Sequence, residues 1–308
     1  MIIRVLGSAA GGGVPQWNCR CANCGSARAG TTPARMQASI AVSCDGSEWL
    51  LVNATTDVRR QLEQLPAPPG NALRSTPVRA VLLTDANIDH AAGLLELRQA
   101  QSLQIYSSGV VRAALVDQNA MFAPLARGER TWTAFGADET LNDVPIIIPG
   151  LRVIAIDVPG LLPSYAGAQE LAGAATAFMF EERVGRRLFT RMLYAPVFLR
   201  MSQALLEATD ECEALFLDGS FWTDDELASR GLGTRSAREM GHAPISGDGG
   251  WLSAMPGRGA AAESRRFCTH VNNSNPILDP RSPEAQALRE ASFSVATEGM
   301  EIVLDGGG

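Results

Sequence analysis

The chain contains no lysine; all 26 basic residues among its 308 are arginine. This excludes Schiff-base chemistry, lysine nucleophiles and the phosphate-gripping lysine of a Walker loop together. Histidine is nearly as scarce, at His90, His242 and His270 alone. A centre that needs four or five imidazoles therefore cannot form. Aromatic residues make up 6% of a chain that is 46% hydrophobic, so aliphatic side chains and alanine must dominate the core. No apolar run reaches 18 residues, which excludes a membrane-spanning helix. The apolar start at Met1–Leu6 is too short for a signal peptide and turns at once into Gly7-Ser8-Ala9-Ala10-Gly11-Gly12-Gly13. That loop is neither GxGxxG nor a P-loop, so no nucleotide cradle is expected. Its glycines suit close backbone approach to a site. A net charge of −7 argues against general nucleic-acid binding. The expected location is cytoplasmic.

Short apolar runs bounded by turn residues mark strands. They fall at Ile2–Leu6, Ala38–Val42, Trp49–Val52, Val78–Leu83, Gln104–Ser107, Ile146–Ile148 and Val153–Ile156. Further runs lie at Ala177–Phe180, Arg187–Phe189, Leu215–Leu217, Arg266–Thr269 and Met300–Leu304. Asp45-Gly46 joins the second and third as a hairpin. Helices fit Asn53–Leu65 after an opening turn, Val110–Gln118, and a segment opening just after Gly93. Strands recur in both halves and no linker interrupts them. The expectation is an α/β fold of two central sheets sandwiched by helices, in a single domain over residues 1–308.

Asp85, Asn87, Asp89 and His90 follow the apolar run Val81–Leu83, where α/β sheets place their sites. Asp218 and His270 end two later apolar runs in the same way. Two imidazoles with carboxylates form a first-row metal set that leaves positions open for water, oxygen or substrate, as at non-haem Fe(II) sites. A lone Asp-His pair would more simply cap a helix; three strand ends with matching ligand types favour a metal. Calcium is excluded, because the EF-hand-like spacing from Asp85 puts His90 where a glycine is required and follows a strand. Cys19-x-Cys21-x-x-Cys24 is too tight for an ordinary disulfide network and points to a soft metal, most simply structural zinc.

Thr84-Asp85-Ala86-Asn87-Ile88-Asp89-His90 resembles the T-H-x-H-x-D-H signature of the metallo-β-lactamase superfamily, with Asp85 and Asn87 in place of the two leading histidines. Asp218 and His270 match the superfamily's late Asp and last His, and no histidine lies between His90 and Asp218. The resemblance implies the αββα four-layer fold and one metal held by Asp89, His90, Asp218 and His270, rather than a dinuclear zinc site. GSAAGGGVPQWNCRCANC, TDANIDHAAGLLELR, LFLDGSFWTDDEL, MGHAPISGDGG and HVNNSNPILDPRSPEAQALRE resemble the B-protein family of pyrroloquinoline quinone (PQQ) synthesis. The likeness spans nearly the whole chain and is weakest over Gln101–Met192. It implies an Fe(II)- and oxygen-dependent hydroxylase acting on the tyrosine ring of a Glu-Tyr unit. The other readings are a carrier or transport protein for PQQ or its precursor, and a metal-dependent hydrolase. The implied partners are a dipeptide or other small precursor and molecular oxygen, with a homodimer allowed and neither nucleic acid nor membrane.

Resemblance to phosphodiesterases of the superfamily implies further roles. Asn273, three residues after His270, or a water closes the cysteine site. His242 shuttles protons or holds substrate, which completes a catalytic set of Asp89, His90, Asp218, His270 and His242. Asp85 and Asn87 are expected to orient metal-bound water. Arg98 is expected on a solvated helix face, and Cys44 and Cys212 in the interior.

Overall fold

The computed structural model describes residues 1–68, 70–99, 103–126, 131–136, 141–185, 187–255 and 265–305, and in it the apolar runs build two seven-stranded sheets. β1 (Ile2–Gly7), β2 (Ser39–Ser43), β3 (Trp49–Val52), β4 (Val78–Leu82), β5 (Gln104–Ser108) and β6 (Thr131–Phe135) lie in that order in the first sheet. β7 (Leu141–Ile148), β8 (Leu151–Val158), β9 (Ala175–Val184), β10 (Arg187–Ala195), β11 (Ala214–Asp218), β12 (Arg266–Thr269) and β13 (Ser294–Val295) form the second. β14 (Glu301–Val303) returns to pair antiparallel with β1. β1–β3 and β7–β10 run antiparallel; β3–β6 and β10–β13 run parallel.

Alternation along the strands produces the layers. Leu50 and Val52 of β3 meet Ile3, Val5, Phe178 and Phe180 between the sheets. Trp49 and Leu51 face the other way and pack with Val58, Leu94 and Val111. On β11, Phe216 points inward while Leu215 and Leu217 pack outward with Leu205 and Leu288. Strands covered on both faces need near-continuous apolar sequence, which is why they read as runs.

Short helices supply the outer cover: α1 (Ala22–Arg28), α2 (Val58–Leu62), α3 (Ile88–Ala91), α4 (Gly109–Arg112), α5 (Gln203–Glu211), α6 (Glu226–Ser229) and α7 (Pro283–Glu290). Ser108, Ser202 and Ser282 cap α4, α5 and α7 by accepting an N–H from the third residue on. The architecture is the α/β four-layer sandwich expected. No described helix is long and apolar enough to cross a membrane.

Two local expectations change. The helix expected after Gly93 begins earlier, with α3 at Ile88, and continues as a 3-10 helix over Ala92–Gln99. The Asn87 carbonyl accepts the N–H groups of both His90 and Ala91, so Asp89 and His90 sit on a helical turn. Cys44 and Cys212 are half-buried, because each lies just beyond the end of an element, β2 and α5 respectively. Arg98 is exposed, as expected.

β4, β11 and β12 end at one rim of the sandwich. The Thr176 N–H donates to the Thr84 carbonyl at 2.8 Å and joins the two sheets there. The Ala10 N–H donates to the Val271 carbonyl at 3.0 Å and brings the loop after β1 to the same rim.

Candidate metal centre

Asn53 braces the segment leaving β4. Its Oδ1 accepts the Thr84 N–H at 3.0 Å and its Nδ2 donates to Thr84 Oγ1 at 2.9 Å. Asp85 follows, fully buried. Its Oδ1 accepts the Asn87 N–H at 2.8 Å and its Oδ2 lies 2.7 Å from His90 Nδ1. One carboxylate thus fixes both the turn and the ring. Asn87 takes part through its backbone, its N–H held by Asp85 and its carbonyl accepting from His90 and Ala91. Gly11 backs onto the site: a Cβ there would stand 3.1 Å from Asp89 Oδ2 and press on that carboxylate.

The second sheet contributes from the other side. A Cβ at Gly219 would meet the Cys268 Cβ at 2.8 Å, so the ends of β11 and β12 pack side by side only with glycine there. His270 leaves β12 with φ of 56°, a left-handed conformation uncommon for a non-glycine residue and concentrated at functional sites. Asp218 Oδ1 accepts the Ser220 N–H at 2.9 Å and lies 2.6 Å from Ser220 Oγ. Its Oδ2 lies 2.7 Å from His242 Nδ1. Ser220 Oγ is also 2.8 Å from His270 Nδ1.

Two groups of potential ligand atoms result, each with all members within 4.8 Å of one another: Asp89, His90 and His270, and Asp218, His242 and His270. His270 is common to both. The four donors Asp89, His90, Asp218 and His270 therefore do not gather as one set; Asp218 falls with His242 because Ser220 and His242 occupy its two oxygens. His242 is buried and stacks on His270, with ring centroids 5.1 Å apart. Ser220 is a member that sequence reasoning missed; its sole signal was its place two residues after Asp218 in Asp-Gly-Ser.

The charges explain the protonation of this cluster. Burial alone would favour a neutral His90, but Asp85, Asp89 and Asp218 outweigh it and hold its pKa at about 9. His242 is also raised: burial opposes the charge, and Asp218 against Nδ1 wins. For His270 burial prevails, His90 and His242 add to it, and its pKa is lowered in spite of Asp89. Burial would raise Asp85 and Asp89, yet His90 beside them holds both below the usual carboxylate range.

His90 Nε2 is buried and, among the described residues, has no hydrogen-bond partner. It stands 4.0 Å from Asp89 Oδ2, which is 3.3 Å from His270 Nε2. Two ring nitrogens and a carboxylate oxygen thus converge on one point. Such a donor set fits a first-row divalent ion.

Cys19, Cys21 and Cys24 bring their sulfurs within 4.8 Å of one another. The Asn273 amide caps them, its Nδ2 3.1, 3.6 and 3.4 Å from the three in order. Turning that amide end for end would present Oδ1 to the same point. Asn23 Nδ2 donates to the carbonyls of Asn273 and Asn275, both at 2.9 Å.

A four-layer sandwich with aspartates and histidines gathered at one rim defines a protein of the metal-dependent β-lactamase type. The model of the beta-lactamase superfamily domain matches residues 48–270. Over 312 aligned residues the chain is 39% identical to the coenzyme PQQ synthesis protein B of Pseudomonas savastanoi pv. phaseolicola, covering 99% of this chain and all of that one. The protein of the same name from Azotobacter vinelandii matches at 39% with the same coverage. The crystal structure of Zn(2+)-bound PqqB from Methylobacterium extorquens aligns with a TM-score of 0.87 at 35% identity, over 99% of this chain and 100% of that chain. The chain belongs to the coenzyme PQQ synthesis protein B family within this superfamily.

Proposed function

We propose that this protein acts in PQQ synthesis as a metal-dependent enzyme, and that it is a mononuclear Fe(II) hydroxylase of the tyrosine ring of a Glu-Tyr precursor. The observation that carries the reading is the group of two imidazoles and one carboxylate formed by His90, His270 and Asp89. This composition leaves coordination positions free for oxygen and substrate. A second ion would need ligands at 85 and 87, and Asp85 is instead engaged by His90.

In this reading Asp89 and the Nε2 atoms of His90 and His270 hold the ion. Asp85 orients His90 from behind through Nδ1, a partnership that raises ligand basicity. Asp218 aligns His242, whose outer ring nitrogen holds or passes a proton beside the substrate. A bound Fe(II) supplies the redox chemistry with dioxygen that ring hydroxylation requires. One oxygen atom replaces a ring hydrogen as a hydroxyl; the other leaves as water, with two electrons from an external reductant. Cys19, Cys21, Cys24 and Asn273 hold a structural zinc that braces the turn after His270.

The test is oxygen uptake by Fe(II)-loaded protein with a Glu-Tyr dipeptide and reductant, with mass analysis of the product. The expected result is a gain of one oxygen atom, absent without iron and absent in His270→Ala. Tight binding of PQQ without uptake would establish the carrier reading instead. Turnover without oxygen would establish a hydrolase.

A further inference from the structure

Ser220 is fully buried, and its hydroxyl sits among three members of the site. Its Oγ lies 2.6 Å from Asp218 Oδ1, 2.8 Å from His270 Nδ1, 3.0 Å from His242 Nδ1 and 2.9 Å from the His270 carbonyl. We propose that Ser220 is the positioning residue that holds His270 in its metal-binding tautomer, by relaying the Asp218 carboxylate to His270 Nδ1. The proposal rests on the metal reading of the previous subsection.

A hydroxyl has one proton and two lone pairs, so the contacts cannot all be alike. The shortest runs to an ionised carboxylate, and charge-assisted bonds are the stronger ones. The Ser220 proton therefore goes to Asp218. What remains on Oγ can only accept. His270 must then carry its proton on Nδ1 and donate it to Ser220, which leaves Nε2 bare. His242 Nδ1 has a nearer partner in Asp218 Oδ2 at 2.7 Å and donates there.

The alternative arrangement has a different outcome. If Ser220 donated to His270 Nδ1, the ring proton would move to Nε2 and point at Asp89 Oδ2, 3.3 Å away. Asp89 and His270 would then close on each other as a hydrogen bond, and His270 could not bind an ion. Asp218 decides between the two states by claiming the Ser220 proton. Each imidazole thus has its Nδ1 tied back: His90 by Asp85 directly, His242 by Asp218 directly, and His270 by Asp218 through one hydroxyl. The unusual backbone of His270 suits this, since it brings the ring Nδ1 to Ser220 Oγ.

With three histidines in the chain, nitrogen NMR of 15N-histidine-labelled protein can read each tautomer. The full chain is used with zinc at the cysteine centre alone, and Co(II) is then titrated into the histidine site. In the wild type, His270 should carry its proton on Nδ1. In Ser220→Ala and in Ser220→Cys, which keeps the size but replaces the hydroxyl with a weak thiol, that preference should be lost. Co(II) affinity should fall roughly 10- to 100-fold, with a changed absorption spectrum. A wild-type His270 protonated on Nε2 would overturn the proposal, as would variants with wild-type affinity and spectrum; either result leaves the metal reading intact. If the wild type takes up no Co(II) beyond the cysteine centre, and His90→Ala behaves identically, the metal reading itself fails. The wild-type tautomer is read even if a variant does not fold.

Discussion

Glu226 is 2% exposed, and no cation stands in contact with its carboxylate among the described residues. Its Oε2 accepts the Trp222 N–H at 2.6 Å, and Ser274 Oγ lies 2.5 Å from Oε1. Burial lifts its pKa from 4.5 to about 7, with those two hydrogen bonds limiting the rise. The folded protein therefore holds this proton more tightly than the unfolded chain does. Its contribution to stability is full below the unfolded value and is lost as pH rises through the folded one. At 1.36 kcal/mol per unit the loss amounts to roughly 3 kcal/mol. Glu226→Gln keeps an acceptor for Trp222 and cannot ionise. Urea denaturation at about pH 5 and about pH 8 should show the variant gaining on the wild type by most of that amount, about 2.5 kcal/mol, as pH rises. Parallel pH profiles would mean that Glu226 does not titrate in this range. Neither Glu226 nor Ser220 was legible in the sequence, because each has a partner far along the chain, Ser274 48 residues from Glu226 and His270 50 residues from Ser220, and polar side chains of that kind are usually solvated.

At the scale of elements, the legible strands were those buried on both faces. β1, β3, β11 and β12 fall within a residue or two of their apolar runs. β7 was visible only at Ile146–Ile148, since Asn142 and Asp143 open it and Ile147 is exposed on the edge of the sheet. The two residues of β13 carry no run at all. α3 was hidden because Asp85-Ala86-Asn87-Ile88-Asp89 has turn composition and Gly93 looks like the break before a helix. That glycine has another reason. Its N–H donates to the Ala54 carbonyl at 2.9 Å, and a Cβ there would fall 2.0 Å from the Thr55 carbonyl oxygen. The obstacle is backbone and cannot swing aside. Gly93→Ala should cost about 3 kcal/mol and displace the helix that carries Asp89 and His90. Gly25→Ala is the contrasting change: it lies within α1, with nothing within 4 Å of the added Cβ. It should raise stability by about 0.5–1 kcal/mol through helix propensity. Thermal unfolding of the two variants checks both signs, and equal midpoints would discredit the account of Gly93.

Over the whole molecule, the sequence motifs located both metal-type clusters but not what joins them. The connection runs through one turn. The cysteine loop after β1 reaches the chain just beyond His270 through Asn273 and through the two Asn23 hydrogen bonds. From there Asn275 Nδ2 donates to the Gly219 carbonyl at 2.8 Å, beside Asp218 and Ser220. Residues distant in sequence are thus held together beside the candidate metal ligands. An ion at the cysteines that binds the folded state alone adds stability by mass action, about 2.7 kcal/mol at a hundredfold excess over its dissociation constant. Cys24→Ser, or a chelator strong enough to strip the thiolates, should therefore lower the melting midpoint by several degrees. The effect should also be local: amide exchange should quicken over 19–28 and 270–275, while β8 and β9 keep their protection. If exchange rises evenly across the protein, the centre is a global staple with no special hold on His270. If neither the midpoint nor exchange at 270–275 changes, the cysteines are not a tie at all, and the left-handed turn at His270 is held without them, by contacts such as the Val271 N–H to the Ser8 carbonyl at 2.8 Å.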